Sequence, residues 1–245
     1  AACLFLYRGS AAYKLGEILQ AGMDFNRAYA RLSAVTDPVM ACWIAISKGL
    51  HVGRMGNPAK ATAILASAYL QYQPTGIQGA FLNWHWGWFA YKAGDPMLGR
   101  NRMQEALLVL RAHNSPEMFA VMVDLAYCEL QNGELLDAKW LIQEAEPLLE
   151  KANHWWKAQY NRVAAEVEFA CGLLSSATKL AIRAYEEAVL ADHKEEQGRI
   201  LLLLARIAKA QDGEWEDLCA AALRTAILAG NGHLVTLIRE FGAEG

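Results

Sequence analysis

Three features of the 245-residue sequence predict an all-α protein, a right-handed α-solenoid of about six helical hairpins closed by a short C-terminal capping helix. First, glycines that stop a helical pattern recur at Gly22, Gly56, Gly94, Gly133, Gly172 and Gly213, at spacings of 34, 38, 39, 39 and 41 residues. Second, small residues recur at fixed offsets from them. Seven before stand Gly49, Gly87, Ala126 and Ala165; five after, Ala61, Gly99, Ala138 and Ala177; twelve after, Ala68, Ala106, Ala145 and Ala184. Small residues at constant offsets mean two helices crossing closely at the same point of each unit. Third, no stretch alternates at period two for long enough to make a strand.

The punctuation supplies the elements in order. Thr36-Asp-Pro38, Gln73-Pro-Thr-Gly76, Asn114-Ser-Pro116, Ala152-Asn-His154 and Ala229-Gly-Asn-Gly232 combine turn formers with helix-capping residues and separate the hairpins. Helix pairs are then expected over 3–16 and 23–35, 39–55 and 58–72, 77–93 and 96–112, 116–132 and 134–150, 154–171 and 174–190, and 196–211 and 214–229. The closing helix falls near 232–241. Pro147 lies inside one of these helices and should kink it, because proline has no N–H to donate. Lys194-Glu-Glu-Gln-Gly198 is the least marked joint. At the outer units the pattern is irregular: Leu15 and Arg27 stand at small positions of the first, Arg206 and Leu218 at those of the sixth. No linker divides the chain, so residues 1–245 read as one domain. It begins Ala-Ala-Cys with neither a methionine nor a signal-peptide pattern, and reads as a piece of something longer.

Composition excludes several functions. A hydrophobic fraction of 54% with 20% charged residues is that of a folded protein with ample core. The net charge of −3, with no run of Lys and Arg, gives no footprint for direct nucleic-acid binding. No apolar run reaches the roughly 20 residues that span a bilayer. Cys3, Cys42, Cys128, Cys171 and Cys219 are odd in number, far apart and never in a Cys-x-x-Cys pair. That argues for buried thiols in a reducing, cytoplasmic compartment, with no metal site. The six histidines are spread along the chain, and a solenoid brings only neighbouring repeats together. With no nucleophile elbow, phosphate loop or His-Glu-x-x-His, the chain reads as a non-enzyme that needs no cofactor.

Gly94-Asp-Pro96, Gly56-Asn-Pro-Ala-Lys-Ala61 and Asn132-Gly-Glu-Leu-Leu-Asp-Ala138 resemble the turn of tetratricopeptide repeats, and the small residues seven before and five and twelve after complete that signature. Units of about 39 residues depart from the family's roughly 34. Long units of this kind resemble the helical-repeat domain of large ATP-binding LuxR-type transcription activators of the maltose-regulator type, as does the segment 226–242. The resemblance implies a ligand- or protein-binding regulatory domain whose first helix in each pair lines a concave groove. Carried over by offset, that groove holds Trp43, Ile46 and Leu50; then Phe81, Trp84, Trp88, Tyr91 and Lys92; then Val123, Tyr127 and Gln131; then Gln159, Arg162, Glu166 and Phe169. Phe81, Trp84, Trp88 and Tyr91 fall at i, i+3, i+7 and i+10 and share one helix face. Aromatic rings give stiff contact area with a polar tip, and Arg and Lys stack on them or pair with carboxylates. Trp86 and Trp140 are read as core, at least one of Trp155 and Trp156 as partly exposed, and for Trp84 and Trp88 both a groove and a core position stay open. The partner is a protein or peptide, or a small effector. The alternative reading is a structural spacer or a self-associating homodimer without a small ligand.

Overall fold

The computed structural model of the chain describes residues 2–14 and 18–243. Among these there is no strand. The helices are α1 (Ala2–Lys14), α2 (Ile18–Tyr29), α3 (Pro38–Arg54), α4 (Pro58–Tyr72), α5 (Gly76–Lys92), α6 (Pro96–Ala112), α7 (Met118–Gln131), α8 (Leu135–Ala145), α9 (His154–Ala170), α10 (Leu174–Leu190), α11 (Lys194–Ala210), α12 (Glu216–Leu228) and α13 (Gly232–Ala243). Odd-numbered helices from α1 to α11 open the hairpins and even-numbered ones close them. The protein is an all-α array of helical hairpins.

Helix starts are set by caps that the sequence announces. Asp37, Asn57 and Asp95 each accept a hydrogen bond from a backbone N–H of the first turn, and a proline follows each cap. Proline is favoured there because its missing N–H has no helical partner to lose. Asn153 caps α9 in the same way. Four of the six stop glycines, Gly56, Gly94, Gly133 and Gly172, adopt the left-handed conformation, with φ between 75° and 93°. Pro147 ends α8 at Ala145, and the chain continues as a 3₁₀ segment over Glu146–Lys151.

The outer units need a corrected register. Gly22 stops nothing: it lies inside α2, where an added Cβ would stand 2.3 Å from Nε2 of His51. The α1–α2 turn, with Leu15 and Gly16, lies outside the described residues. In the sixth unit the left-handed residue is Asp212, not Gly213, and α12 starts later after the turn. Counted from the start of each second helix, the fourth and eleventh residues are Ala21 and Ala28, Ala61 and Ala68, Gly99 and Ala106, Ala138 and Ala145, Ala177 and Ala184, and Cys219 and Ala226. Their partners on the first helices are Gly9, Gly49, Gly87, Ala126, Ala165 and Ala205. All are buried except Cys219, which is half-buried. The small-residue rule therefore holds in all six hairpins, and Arg206 and Leu218 are each one residue from the true positions.

The chain divides into two compact units, Ala1–Val121 and Met122–Gly245. In the first, Leu6, Phe25 and Ile44 form one core cluster and Ile46, Leu65, Leu82 and Phe89 another. In the second, alanines of α9 and α10 pack against Ile200, Leu203 and Ile207, and Leu234 and Ile238 of α13 close over Leu201, Ala222 and Ala226. Each fully buried Leu or Ile contributes about 1.5–3 kcal/mol. Among the described residues no helix is long and apolar enough to cross a membrane.

Candidate functional site

Helix α5 carries the densest chemistry of the first unit. Its helical spacing places Phe81, Trp84, His85, Trp88 and Tyr91 along one side, and Trp43 meets them from α3. Trp43 packs edge-on to Phe81, with ring centroids 5.6 Å apart. Phe81 lies 6.0 Å from Trp84 and 6.3 Å from His85, and His85 stacks on Trp84 at 4.4 Å. One turn on, Trp88 stacks with Tyr91 at 6.3 Å, and the Lys92 ammonium lies 4.9 Å over the Trp88 ring. Stacked and edge-on rings at these distances attract through their quadrupoles, and a cation over a ring face adds to that.

Burial sorts this set. Trp84 is 6% exposed, so it is a buried floor, contrary to the groove exposure expected of it. Its own neighbour His85 covers it, a residue the offset argument left out although it stands at i+4 from Phe81. Trp43, Phe81, His85, Trp88 and Tyr91 are half-buried and Lys92 is exposed. Ile46 and Val123, also expected to line the groove, are core residues at 1% exposure. Burial, helped by the charge of Arg54, pushes the pKa of His85 down to about 3. The imidazole is therefore neutral at neutral pH, free to donate or accept one hydrogen bond while stacked.

Trp86 points to the other side of α5, as its position requires, and is buried. It packs against Tyr69 of α4 at 5.5 Å, with the Arg102 guanidinium 4.0 Å over its ring. Arg102 also donates to Glu105, and so does the Asn83 side chain. Trp140, read from sequence as core, is 55% exposed. It stands one turn from the exposed Leu136 on the outer side of α8. The rings of Trp155 and Trp156 lie 4.4 Å apart, tilted by 52°, and both are half-buried.

In the second unit the predicted contacts Tyr127 and Arg162 are brought together, the guanidinium lying 5.2 Å over the ring. Arg162 is nevertheless 5% exposed and donates to Glu166 on its own helix and to Glu196 of α11. It bridges α9 and α11, and that duty replaces the exposed ligand contact expected of it. Burial alone would weaken its hold on the proton; Glu196 and Glu166 beside it outweigh that and raise its pKa. Burial likewise opposes ionisation of Glu196, but Arg162 and Arg199 overcome it and hold the carboxyl charged. The spacing of 34 residues between Arg162 and Glu196 hid this pair from sequence reasoning.

All five cysteines are free thiols. Cys42 and Cys128 are buried; Cys3, Cys171 and Cys219 are half-buried, where the sequence suggested burial of the whole set. Burial pushes the Cys42 thiol up to about 11, so it is unreactive at neutral pH. Among the described residues no three His, Cys, Asp or Glu side chains gather as a metal site would require.

The hairpin array is shared with several solved structures. The pilF protein of Pseudomonas aeruginosa matches 100% of this chain and 97% of its own at 18% identity, with a TM-score of 0.61. The Rap conjugation gene regulator of plasmid pLS20, solved with the Phr* peptide, matches 91% of this chain and 61% of its own at 15% identity, with a TM-score of 0.73. A Rap protein complexed with competence and sporulation factor matches 96% of this chain at 12% identity, with a TM-score of 0.70. The nearly identical TPR-like repeats of a kinesin light chain-like protein from Podosopora anserina match 81% of this chain and 100% of their own at 12% identity, with a TM-score of 0.60. At such identities the likeness shows the fold alone: an array of helical hairpins like those of tetratricopeptide repeats. No protein-family model matches the sequence, and neither does any curated protein sequence.

Proposed function

We propose that the chain is a non-catalytic recognition module of a larger signalling or transcription-regulatory protein, and that it receives an extended peptide or a partner's segment on the α3–α5 face of its first unit. The observation that carries this reading is the row of half-buried aromatic side chains Phe81, His85, Trp88 and Tyr91 along α5, with Trp43 of α3 at one end and the exposed Lys92 at the other. Half-buried aromatics are held in place by their own packing, so they bind with little loss of side-chain freedom. Lys92 adds a charge at one end for a carboxylate of the ligand. Two of the similar structures, the Rap proteins, are complexes with a peptide and with competence and sporulation factor, which supports a peptide as the ligand class. The resemblance to LuxR-type activators supports a cytoplasmic regulator as the parent protein.

The test is selection of a random peptide library on the immobilised chain, followed by affinity measurement of the enriched peptides against Trp88→Ala/Tyr91→Ala. Loss of two interface aromatics costs about 2–4 kcal/mol, so the expected result is at least a tenfold weaker complex at an unchanged fold. Enriched peptides that bind the double variant as well as the wild type would sink the reading, as would failure to enrich any peptide.

A further inference from the structure

A second feature of the first unit lies where α2, α3 and the start of α4 meet. Lys48 and His51 stand one turn apart on α3, and Gly22 and Asn26 one turn apart on α2. Helical spacing puts Lys48 on the side of α3 opposite Trp43 and Leu50, away from the aromatic row. The His51 imidazole packs into the notch that Gly22 leaves, with its ring centroid 6.2 Å from that of Phe25. Beside it the Lys48 ammonium donates to the side-chain carbonyl of Asn26. Lys60 belongs to the first turn of α4, where the helix dipole already disfavours a cation and no acidic residue offsets it.

What sets this crevice apart is charge without counter-charge. Lys48 and His51 are half-buried, and Lys60 is exposed. Among the described residues no carboxylate pairs with any of the three, and Asn26 is the one side-chain partner of Lys48. Elsewhere the chain balances its recessed cations: the buried Arg162 has Glu166 and Glu196, and the half-buried Arg199 has Glu195. Burial weakens the hold of Lys48 on its proton, and the nearby charge of Lys60 weakens it further. Burial and the charge of Lys48 act in the same direction on His51. Like charges that face each other across a partly desolvated crevice raise the free energy of the empty protein, and an anion between them removes that cost.

We propose that this crevice binds the phosphate group of a small phosphorylated molecule, held between the Lys48 and Lys60 ammoniums with the His51 imidazole at its edge. A phosphate monoester carries close to two negative charges at neutral pH and three acceptor oxygens, which answers two ammoniums. A carboxylate answers only one. Lys48 spends one N–H on Asn26 and keeps two for the ligand. The ligand is small because Lys48 is recessed between helices: a single projecting group reaches it, and the flat surface of a bilayer does not. The crevice lies on the other side of α3 from the aromatic row, so either assignment stands if the other fails.

The probes are inorganic phosphate and phenyl phosphate, titrated calorimetrically into the full chain at constant ionic strength. Both should saturate a single site, and acetate at the same concentration should not compete. Lys48→Gln/Lys60→Gln should bind them at least about tenfold more weakly, since each charged hydrogen bond lost is large enough for that. Lys48→Arg, which keeps the charge, should bind within a few-fold of the wild type. Without phosphate, Lys60→Gln should melt no lower than the wild type, because the change relieves a repulsion; with phosphate, the wild type should gain more in melting temperature than the variant. Undiminished binding by the double variant, titrations that do not saturate, or equal competition by acetate would overturn the proposal. So would binding to phosphatidic acid vesicles, lost in the double variant, in a chain that ignores phenyl phosphate.

Discussion

Replacing Gly87 by alanine tests the packing rule that generates the whole array. A Cβ at this position would stand 2.6 Å from the carbonyl oxygen of Gly99, 2.8 Å from Cγ of Met103 and 3.0 Å from its backbone N. Met103 can swing its side chain aside, but two of the three obstacles are backbone atoms of α6, so the helices themselves must separate. Overpacking of this kind costs about 1–3 kcal/mol, and the backbone contacts argue for the upper part of that range. Alanine in a helix interior regains about 1 kcal/mol over glycine. The net expectation is destabilisation by about 1–2 kcal/mol, a fall in melting temperature of roughly 2–8 °C for a chain of this size. Gly198→Ala is the matched control. There an added Cβ would meet only a methyl carbon of Leu234 at 3.2 Å, with backbone atoms of α12 at 3.5 and 3.6 Å. That change should be neutral or stabilising by up to about 1 kcal/mol. Both are read by thermal and urea unfolding followed by circular dichroism. If Gly87→Ala is as stable as Gly198→Ala, the close crossing of α5 and α6 is not what the glycine serves, and the reasoning fails.

Two further outcomes follow from the buried charges. Arg162→Ala leaves Glu166 and Glu196 without their cation and should destabilise the second unit by about 3–5 kcal/mol, whereas Arg162→Met combined with Glu196→Leu and Glu166→Gln should recover most of that loss in urea unfolding; equal stabilities for the two variants would contradict the bridge. His85 holds a proton in the unfolded chain at pH values where the folded imidazole does not. Stability should therefore fall as the pH drops from about 6.5 towards 3. His85→Phe should flatten that part of the profile, and parallel profiles for the two proteins would show that the ring is not held neutral.

How much of this was legible in the sequence varied with the kind of interaction. Most helix limits were, because caps such as Asp37-Pro38 and Asp95-Pro96 and left-handed glycines such as Gly94 act within a few residues. The helix expected over 23–35, however, lies at Ile18–Tyr29, and the one expected to reach 150 ends at Ala145. The register of the outer hairpins was not, because a glycine can serve a close contact as well as a turn. Gly22 makes room for His51, and Asp212 takes the left-handed role that Gly213 seemed to fill. The candidate site was half legible. Periodicity placed Phe81, Trp84, Trp88 and Tyr91 on one side of α5 and Trp86 on the other, as found. Whether a ring on that side is floor or surface depends on what lies over it, and periodicity does not see the stacking of His85 on Trp84. Trp140 shows the converse: a tryptophan in a repeat helix need not be core, and this one keeps more than half of its surface exposed. Arg162 looked like a groove residue because its partner stands 34 residues away.

The most direct test of the recognition account is the indole region of an NMR spectrum of ¹⁵N-tryptophan-labelled chain, titrated with a peptide enriched on it. All eight tryptophans report from known places: Trp43 and Trp88 on the aromatic face, Trp84 beneath it, Trp86 on the opposite side of α5, and Trp140, Trp155, Trp156 and Trp215 elsewhere. The account predicts that the Trp43 and Trp88 signals shift with saturation at the affinity of the peptide, while those of Trp140 and Trp215 stay in place. Shifts confined to Trp140, Trp155, Trp156 and Trp215, with Trp43 and Trp88 unmoved, would place the ligand on another surface and contradict it.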